Sequence, residues 1–216
     1  MKSIAADLLR KFVLLSPLLI YDGSACAHEF TEQNLFIAYV KLVSPQDMTP
    51  YNEVYAERFA PKASGIAGEF GQFDQKANAE KILSRNLKAF DLNEAFTVTN
   101  TAELGRYDLE RQTFEFRPVS AATVYRSGAG YGPMSRIEVV FTNTKAFTGL
   151  AMEPGSARTL VEGMPSYSRR VAIDLEFRAT SAAEGSDRIR SVITRIDVYS
   201  DESRRKKIGG LVPNGS

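Results

Sequence analysis

The hydrophobic positions of the chain change their spacing near Asp91. Before this residue they recur every three or four positions, which is the period of an amphipathic helix. Helices are therefore predicted over residues 32–44, 50–61 and 73–91. Their apolar stripes consist of Leu35, Phe36, Tyr39, Val40 and Val43 in the first, Val54, Tyr55 and Phe59 in the second, and Ile82, Leu83, Leu87 and Phe90 in the third.

After Asp91 apolar and polar residues alternate, as they do in a half-buried strand. The alternation predicts strands at 96–99, 106–110, 114–117, 136–143, 169–180 and 190–200. In the last two strands the residues expected to point inward are Val171, Ile173, Leu175 and Phe177, and then Val192, Ile196 and Val198. The segments ELG (103–105) and ERQT (110–113) are predicted turns.

Alternation of this kind is typical of antiparallel strands with one solvated face. The expected fold is α+β, with the amino-terminal helices packed on an antiparallel sheet of about five to seven strands. The stretch 149–168 is rich in Gly, Pro and Ser and is predicted to be a long connection. It is either a simple crossover or a place for binding residues, which often lie in long loops.

The first 27 residues have the pattern of a secretory signal peptide. Lys2, Arg10 and Lys11 precede a short apolar run at 12–21, which is followed by a polar break and the small-residue site Ala25-Cys26-Ala27. The run is too short to span a membrane, which takes about 20 apolar residues. We therefore expect residues 1–27 to be removed, leaving residues 28–216 as a single α+β domain in the periplasm or outside the cell.

Two alternatives to this cleavage remain open. The segment Gly23-Ser24-Ala25-Cys26 loosely resembles a lipoprotein signal, although Gly23 stands where such signals usually have Leu. In that case Cys26 would be lipidated and would anchor the protein to a membrane. The first residues could also form a buried amphipathic helix, but Pro17 argues against it.

Composition excludes several classes of function. Removing Lys2, Arg10 and Lys11 from the 27 basic residues leaves 24, and removing Asp7 and Asp22 from the 26 acidic residues also leaves 24. A formally neutral mature chain does not suggest nucleic-acid binding, which usually requires a basic excess. Cys26 is the only cysteine and His28 the only histidine, so the mature chain has no disulfide, cysteine nucleophile or His-based catalytic triad.

His28 would become the first residue after cleavage at Ala27, and an amino-terminal histidine is a weak candidate copper ligand. Copper carriers of this kind need a second histidine, which the chain lacks. We therefore expect His28 to be an exposed residue of a frayed terminus, and we expect no metal site and no cofactor.

The remaining chemical candidates are carboxylates and glycines. Asp174 and Glu176 share one face of a predicted strand and are weak candidates for an acid–base pair. Arg195 and Asp197 are expected to share another face, on the last strand. The segment SGAGYGP (127–133) has glycine at every second position but is followed by a strand, whereas a phosphate-binding loop is followed by a helix.

The sequence favours a non-enzymatic, exported binding or interaction protein of the bacterial envelope. Its expected partner is another envelope protein or a small apolar ligand, and no transmembrane helix is expected in the mature chain. The alternative is a hydrolase that relies on carboxylates and uses neither His nor Cys. The oligomeric state is left open.

Overall fold

The structure is a computed structural model that describes residues 27–60, 69–127, 134, 136–165 and 168–213. Most of the predicted signal peptide, including Cys26, and the glycines of the SGAGYGP segment lie outside the described residues. The described α-helices are α1 (Glu32–Val43), α2 (Thr49–Arg58), α3 (Glu69–Ala89) and α4 (Pro154–Glu162), and a 3-10 turn covers Thr144–Ala146.

The described strands form one curled, mixed sheet. They are β1 (His28–Glu29), β2 (Phe96–Asp108), β3 (Thr113–Phe116), β4 (Val124–Ser127), β5 (Ile137–Phe141), β6 (Leu150–Ala151), β7 (Arg170–Ala182), β8 (Arg188–Tyr199) and β9 (Lys207–Leu211). The main path runs β4-β5-β8-β7-β2-β3-β6, while β1 pairs with β2 and β9 pairs with β8. The α+β class is therefore confirmed.

The expectation of a purely antiparallel sheet of five to seven strands is wrong. β5 pairs with β8 in parallel, and the short β1 pairs with β2 in parallel. A parallel pair requires a crossover connection, and here the chain between β5 and β8 contains β6, α4 and β7. Alternation within single strands reveals one solvated face but does not determine which strands become neighbours.

Each predicted helix of the first third is present. At the start of α1, Thr31 accepts a hydrogen bond from the amide of Asn34, and the helix ends at Ser44, just before Pro45. Pro50 lies in the first turn of α2, where its missing amide hydrogen costs nothing. α1 contacts β7 and β5, and the main contacts of α2 and α3 are with each other and, for α3, with α1.

Aromatic side chains fill the interior under the sheet. Phe177 is fully buried and stacks on Phe96 at 5.2 Å between ring centroids. Phe141 meets Phe177 edge-on at 5.4 Å, and Phe30 and Tyr125 extend the same group. These residues belong to one continuous hydrophobic cluster, so the described interior here is packed with aromatic rings.

The sheet curls far enough for β6 to contact β9. At this seam, a Cβ placed on Gly209 would lie 2.8 Å from Cδ1 of Leu150, so the two strands touch closely. No ladder pairing joins β6 and β9 within the described residues. At this seam the curled sheet is therefore held by side-chain packing.

β2 departs from its prediction because it is a single strand of 13 residues. Its first part pairs with β7 and its last part with β3, and the register shifts between Leu104 and Tyr107. The predicted turn at ELG is therefore wrong, since Gly105 lies inside the strand. The predicted turn at 110–113 is confirmed by the β2–β3 hairpin, in which Gln112 has a φ of 51°.

Candidate functional site

A charged group lies on the face of the sheet opposite the aromatic core. We call it the carboxylate network, and it comprises Asp174, Glu176, Arg195, Asp197, Arg204 and Lys207. In the pairing of β7 with β8, Asp174 lies opposite Asp197 and Glu176 lies opposite Arg195. The charges of β7 and β8 therefore lie side by side on one face of the sheet.

A bulge in β8 lies beside this network. Ile193 lies opposite Phe177 while Arg195 lies opposite the adjacent Glu176, so β8 has one more residue than β7 at this point. Ile193 and Ile196 are both buried, although strict alternation would put them on opposite faces. Val192, which was expected to point inward, is only partly buried for the same reason.

Asp197 is the centre of the carboxylate network, and its side chain is 8% exposed. The Nε of Arg195 donates to its Oδ1 at 2.9 Å, Nη2 of the same guanidinium donates to Oδ2, and Lys207 donates to Oδ1 at 2.8 Å. Burial by itself would raise the pKa of Asp197, but these hydrogen bonds and charges outweigh it and lower the pKa. Asp197 is therefore held as a carboxylate.

Asp174 and Glu176, the predicted acid–base candidates, are both paired with cations. Arg204 approaches Asp174 with Nε 2.8 Å from Oδ1, and Arg195 lies 3.9 Å from Glu176. Burial raises the pKa of Tyr199, and the nearby charges of Asp174 and Asp197 raise it further. The network as a whole links β7, β8, β9 and the loop that precedes β9, which is the arrangement of a structural ion-pair cluster.

His28, the weak copper candidate, is held in the fold instead of fraying from it. Its ring stacks on Phe90 at 3.9 Å, and its Nε2 donates to the backbone carbonyl of Asp91 at 2.8 Å and lies 3.4 Å from Glu94. Its backbone amide also donates to Ala95 at 2.7 Å. Among the described residues, no three His, Cys, Asp or Glu side chains lie close enough together to hold a metal ion.

A second feature is a surface groove of about 720 Å³ between the end of β2 and α4. We call it the arginine groove. It is lined by Arg106, Tyr107, Leu109, Pro154, Gly155, Ala157, Arg158, Val161 and Arg169. Its lining therefore combines three guanidinium groups with aliphatic and aromatic surface and includes no carboxylate.

Hydrogen bonds fix the two walls of the arginine groove relative to each other. The hydroxyl of Tyr107 donates to the carbonyl of Met152, two residues before α4, at 2.5 Å. Nη1 of Arg169 donates to the carbonyl of Gly105 at 3.2 Å and so ties the start of β7 to β2. The helical wall is anchored by Ala157, which is buried beneath it. The groove is thus built into the described fold.

Two of the three arginines of the groove are available to bind another molecule. Arg106 and Arg158 are both exposed, and neither forms an ion pair within the part of the chain that the structure describes. Leu109 is 71% exposed, which is unusual for a large aliphatic side chain. An unpaired cation beside exposed apolar surface suits a molecule that offers both a negative charge and an apolar group.

The sequence indicated this groove only in part. Residues 149–168 are predicted to be a long connection, either a crossover or a place for binding residues, and the structure finds β6 and α4 inside that stretch. The helix was missed because Pro154 and Gly155 resemble a turn, although proline in the first turn is a normal helix start. The opposite wall could not be found from spacing alone, since Arg106 and Arg158 are about 50 residues apart in the chain.

The fold and the groove together define an α+β protein with a basic, partly apolar surface groove. Residues 47–162 match the model of a family described as a domain of unknown function, DUF4852. The match covers more than half of the chain, so the chain belongs to this family. The matched segment runs from α2 to the end of α4 and includes every groove residue except Arg169.

No curated protein and no solved structure matches the chain. Within the described residues, no helix has the length and apolar character needed to cross a membrane.

Proposed function

We propose that the protein is an exported, non-enzymatic binding module of the bacterial cell envelope that holds its ligand or partner in the arginine groove. The observation that carries the proposal is the lining of that groove. Arg106 and Arg158 are unpaired within the described structure, and Leu109 and Val161 offer apolar surface next to them. Positioned charges beside apolar walls are a common arrangement of binding sites.

The state of the carboxylates supports binding over hydrolysis. A general acid that works near neutral pH needs a raised pKa, whereas the pKa of Asp197 is lowered. Asp174 and Glu176 lie beside Arg204 and Arg195. These contacts suit carboxylates that stabilise the sheet.

Export is supported by the sequence alone. The order of basic residues, short apolar run and Ala25-Cys26-Ala27 is that of a cleaved signal. We further propose that the amino-terminal helices cover the inner face of the sheet. The contacts of α1 with β7 and β5, and the burial of its residues 35–40, support this role.

The test is the mass of the protein isolated from the envelope of its own host. A denatured mass equal to that of a chain starting at His28 is expected for cleavage after Ala27. A mass with a lipidated Cys26 would place the protein on a membrane, and the mass of the uncleaved chain in the cytoplasm would overturn export.

A native mass spectrum of the same sample tests binding. We expect excess mass from a bound molecule, and we expect the Arg106→Gln, Arg158→Gln double variant to lose it. The matched control is Arg178→Gln, which removes an exposed arginine outside the groove. If the bound molecule were hydrolysed, and if Glu176→Gln stopped the hydrolysis, the carboxylate hydrolase would replace the binding module.

A further inference from the structure

We infer that the arginine groove binds an extended acidic segment of a partner polypeptide, in which an apolar side chain lies between carboxylates. This inference rests on the proposed function, because it names the partner of the same groove. It is based on two features of one open groove. Two guanidinium groups there have no ion-pair partner within the described residues, and exposed aliphatic side chains lie beside them.

The positive charge of the groove favours a partner with acidic residues. Arg106 lies on the β2 wall and Arg158 on the α4 wall, so two guanidinium groups flank the groove. A guanidinium group binds a carboxylate through two parallel hydrogen bonds, which gives both affinity and orientation. Arg169 is already bonded to Gly105 through one nitrogen, and we assign it mainly to holding the wall.

The exposed aliphatic side chains of the groove favour a partner that also has an apolar residue. Leu109 is 71% exposed on the strand side, and Val161 lies on the helix side. An apolar residue of the partner placed between them would remove their surface from water, which is favourable in proportion to the area buried. An acidic chain without such a residue would gain charge pairing alone and would be strongly weakened by salt.

The open shape of the groove favours a peptide over an acyl chain. The groove is a surface cleft between a strand and a helix and is open to solvent. An acyl chain lying there would remain partly in water and would forfeit much of its transfer free energy. The backbone of a peptide keeps its hydrogen bonds to water in an open groove, so this shape costs a peptide far less.

The experiment starts from a phage-displayed library of random dodecapeptides selected on the protein. Peptides that also bind the Arg106→Gln, Arg158→Gln double variant are removed by counter-selection. We expect the retained sequences to contain two or more Asp or Glu residues around a Leu, Ile, Val or Phe. The best of them is then synthesised and titrated, and dodecanoate is titrated separately as the acyl probe.

Fluorescence anisotropy gives the affinity, and amide NMR shifts give the location. We expect shifts at Leu109 and Val161, and an affinity that falls about three- to tenfold in each of Arg106→Gln and Arg158→Gln, as charge-assisted contacts of partly exposed groups do. Arg178→Gln should leave the affinity unchanged. Arg158→Lys should recover only part of the loss, because an ammonium group does not match the two oxygens of a carboxylate. Thermal unfolding of each variant confirms that it is folded.

Three outcomes of these measurements test the inference. Retention of acidic peptides that shift groove residues supports the inference. Dodecanoate binding in the groove without peptide binding would overturn the inference and leave the proposed binding function standing. If neither probe binds the groove, or if the retained peptides lack acidic residues, the inference is wrong. The proposed function would then depend on the native mass measurement alone.

Discussion

Asp197 combines burial with charge, and proteins accept this combination only where the charge is compensated. Its compensation comes from Arg195 on the same strand and Lys207 on the neighbouring strand. One carboxylate therefore fastens β9 to β8 in addition to the backbone ladder between them. Glu138, which bridges Arg126 and Arg188 on a more exposed part of the sheet, provides a natural comparison.

We expect Asp197→Asn to lower the free energy of unfolding by about 2 kcal/mol, because it removes buried hydrogen bonds to charged groups. Glu138→Gln, the matched control, should cost less than about 1 kcal/mol, since the arginines it pairs with are largely exposed. Urea unfolding at pH 7 measures both. Equal losses would show that burial adds nothing to the Asp197 contacts.

The lowered pKa of Asp197 predicts a pH dependence with a definite sign. A carboxylate whose pKa is lower in the folded state than its ordinary value of about 3.9 stabilises the fold above that value. This stabilisation is lost as the pH falls through the folded-state pKa. The stability difference between the protein and Asp197→Asn should therefore be largest at pH 6 and should shrink towards pH 2. A difference that stays constant over this range would contradict the assignment.

Phe177 and Glu176 are neighbours on β7 but face opposite sides of the sheet. Phe177 is 0% exposed, and replacing it with Asp would bury an unpaired charge among aromatic rings, so we expect Phe177→Asp to be unfolded at 25 °C. Glu176→Gln should change stability by less than about 0.5 kcal/mol, because Arg195 keeps its bonds to Asp197. Circular dichroism and thermal unfolding compare the two variants, and similar effects would mean that the faces of β7 are wrongly assigned.

At the scale of elements, two irregularities of the long strands could not be predicted from the sequence. The helices of the first third and the strands β5, β7 and β8 follow from periodicity, because each has a long and regular pattern. A β-bulge has no such signal, and the extra residue in β8 places Ile193 instead of Val192 in the core. The long β2 was missed because Glu103, Leu104 and Gly105 resemble a turn in composition.

Gly105 permits the close approach of β2 to β3 because it has no side chain. A Cβ at this position would lie 2.7 Å from the backbone carbonyl oxygen of Glu115 and 2.9 Å from its Cβ. We expect Gly105→Ala to destabilise the protein by about 1–3 kcal/mol, as overpacking does. Gly155→Ala is the control, since nothing lies within 4 Å of its Cβ position and alanine favours a helix. In chemical unfolding, Gly105→Ala should be less stable than the parent protein, and Gly155→Ala should be as stable as the parent or slightly more stable.

At the scale of the whole molecule, the sheet joins residues that are far apart in the chain. β2 pairs with β7 and β5 pairs with β8, so the central strands depend on long-range contacts. The arginine groove arises in the same way, from β2 and α4. Residue patterns identify strands and helices, but partners over such separations are determined by the packing of the whole chain. The groove could therefore not be predicted from the spacing of its residues.

Local stability should vary across the sheet according to pairing. β7 and β8 have paired neighbours on both sides, whereas β6 pairs only with β3 and meets β9 through side chains. We expect the amides of β7 and β8 to exchange hydrogen slowest and those of β6 and β9 to exchange at least about tenfold faster. Hydrogen exchange followed by mass spectrometry measures this, and slow exchange in β6 would contradict the seam described above.

The position of Lys207 on β9 has a consequence for any chain in which this last strand has not yet paired. Asp197 is synthesised before the lysine that compensates it, and β8 is synthesised before the strand that pairs with its outer edge. A folded chain in which β9 is unpaired therefore holds Asp197 with Arg195 alone and leaves the amides at this edge of β8 without partners. An exposed edge of this kind can pair with other chains, so the docking of β9 protects the sheet from aggregation.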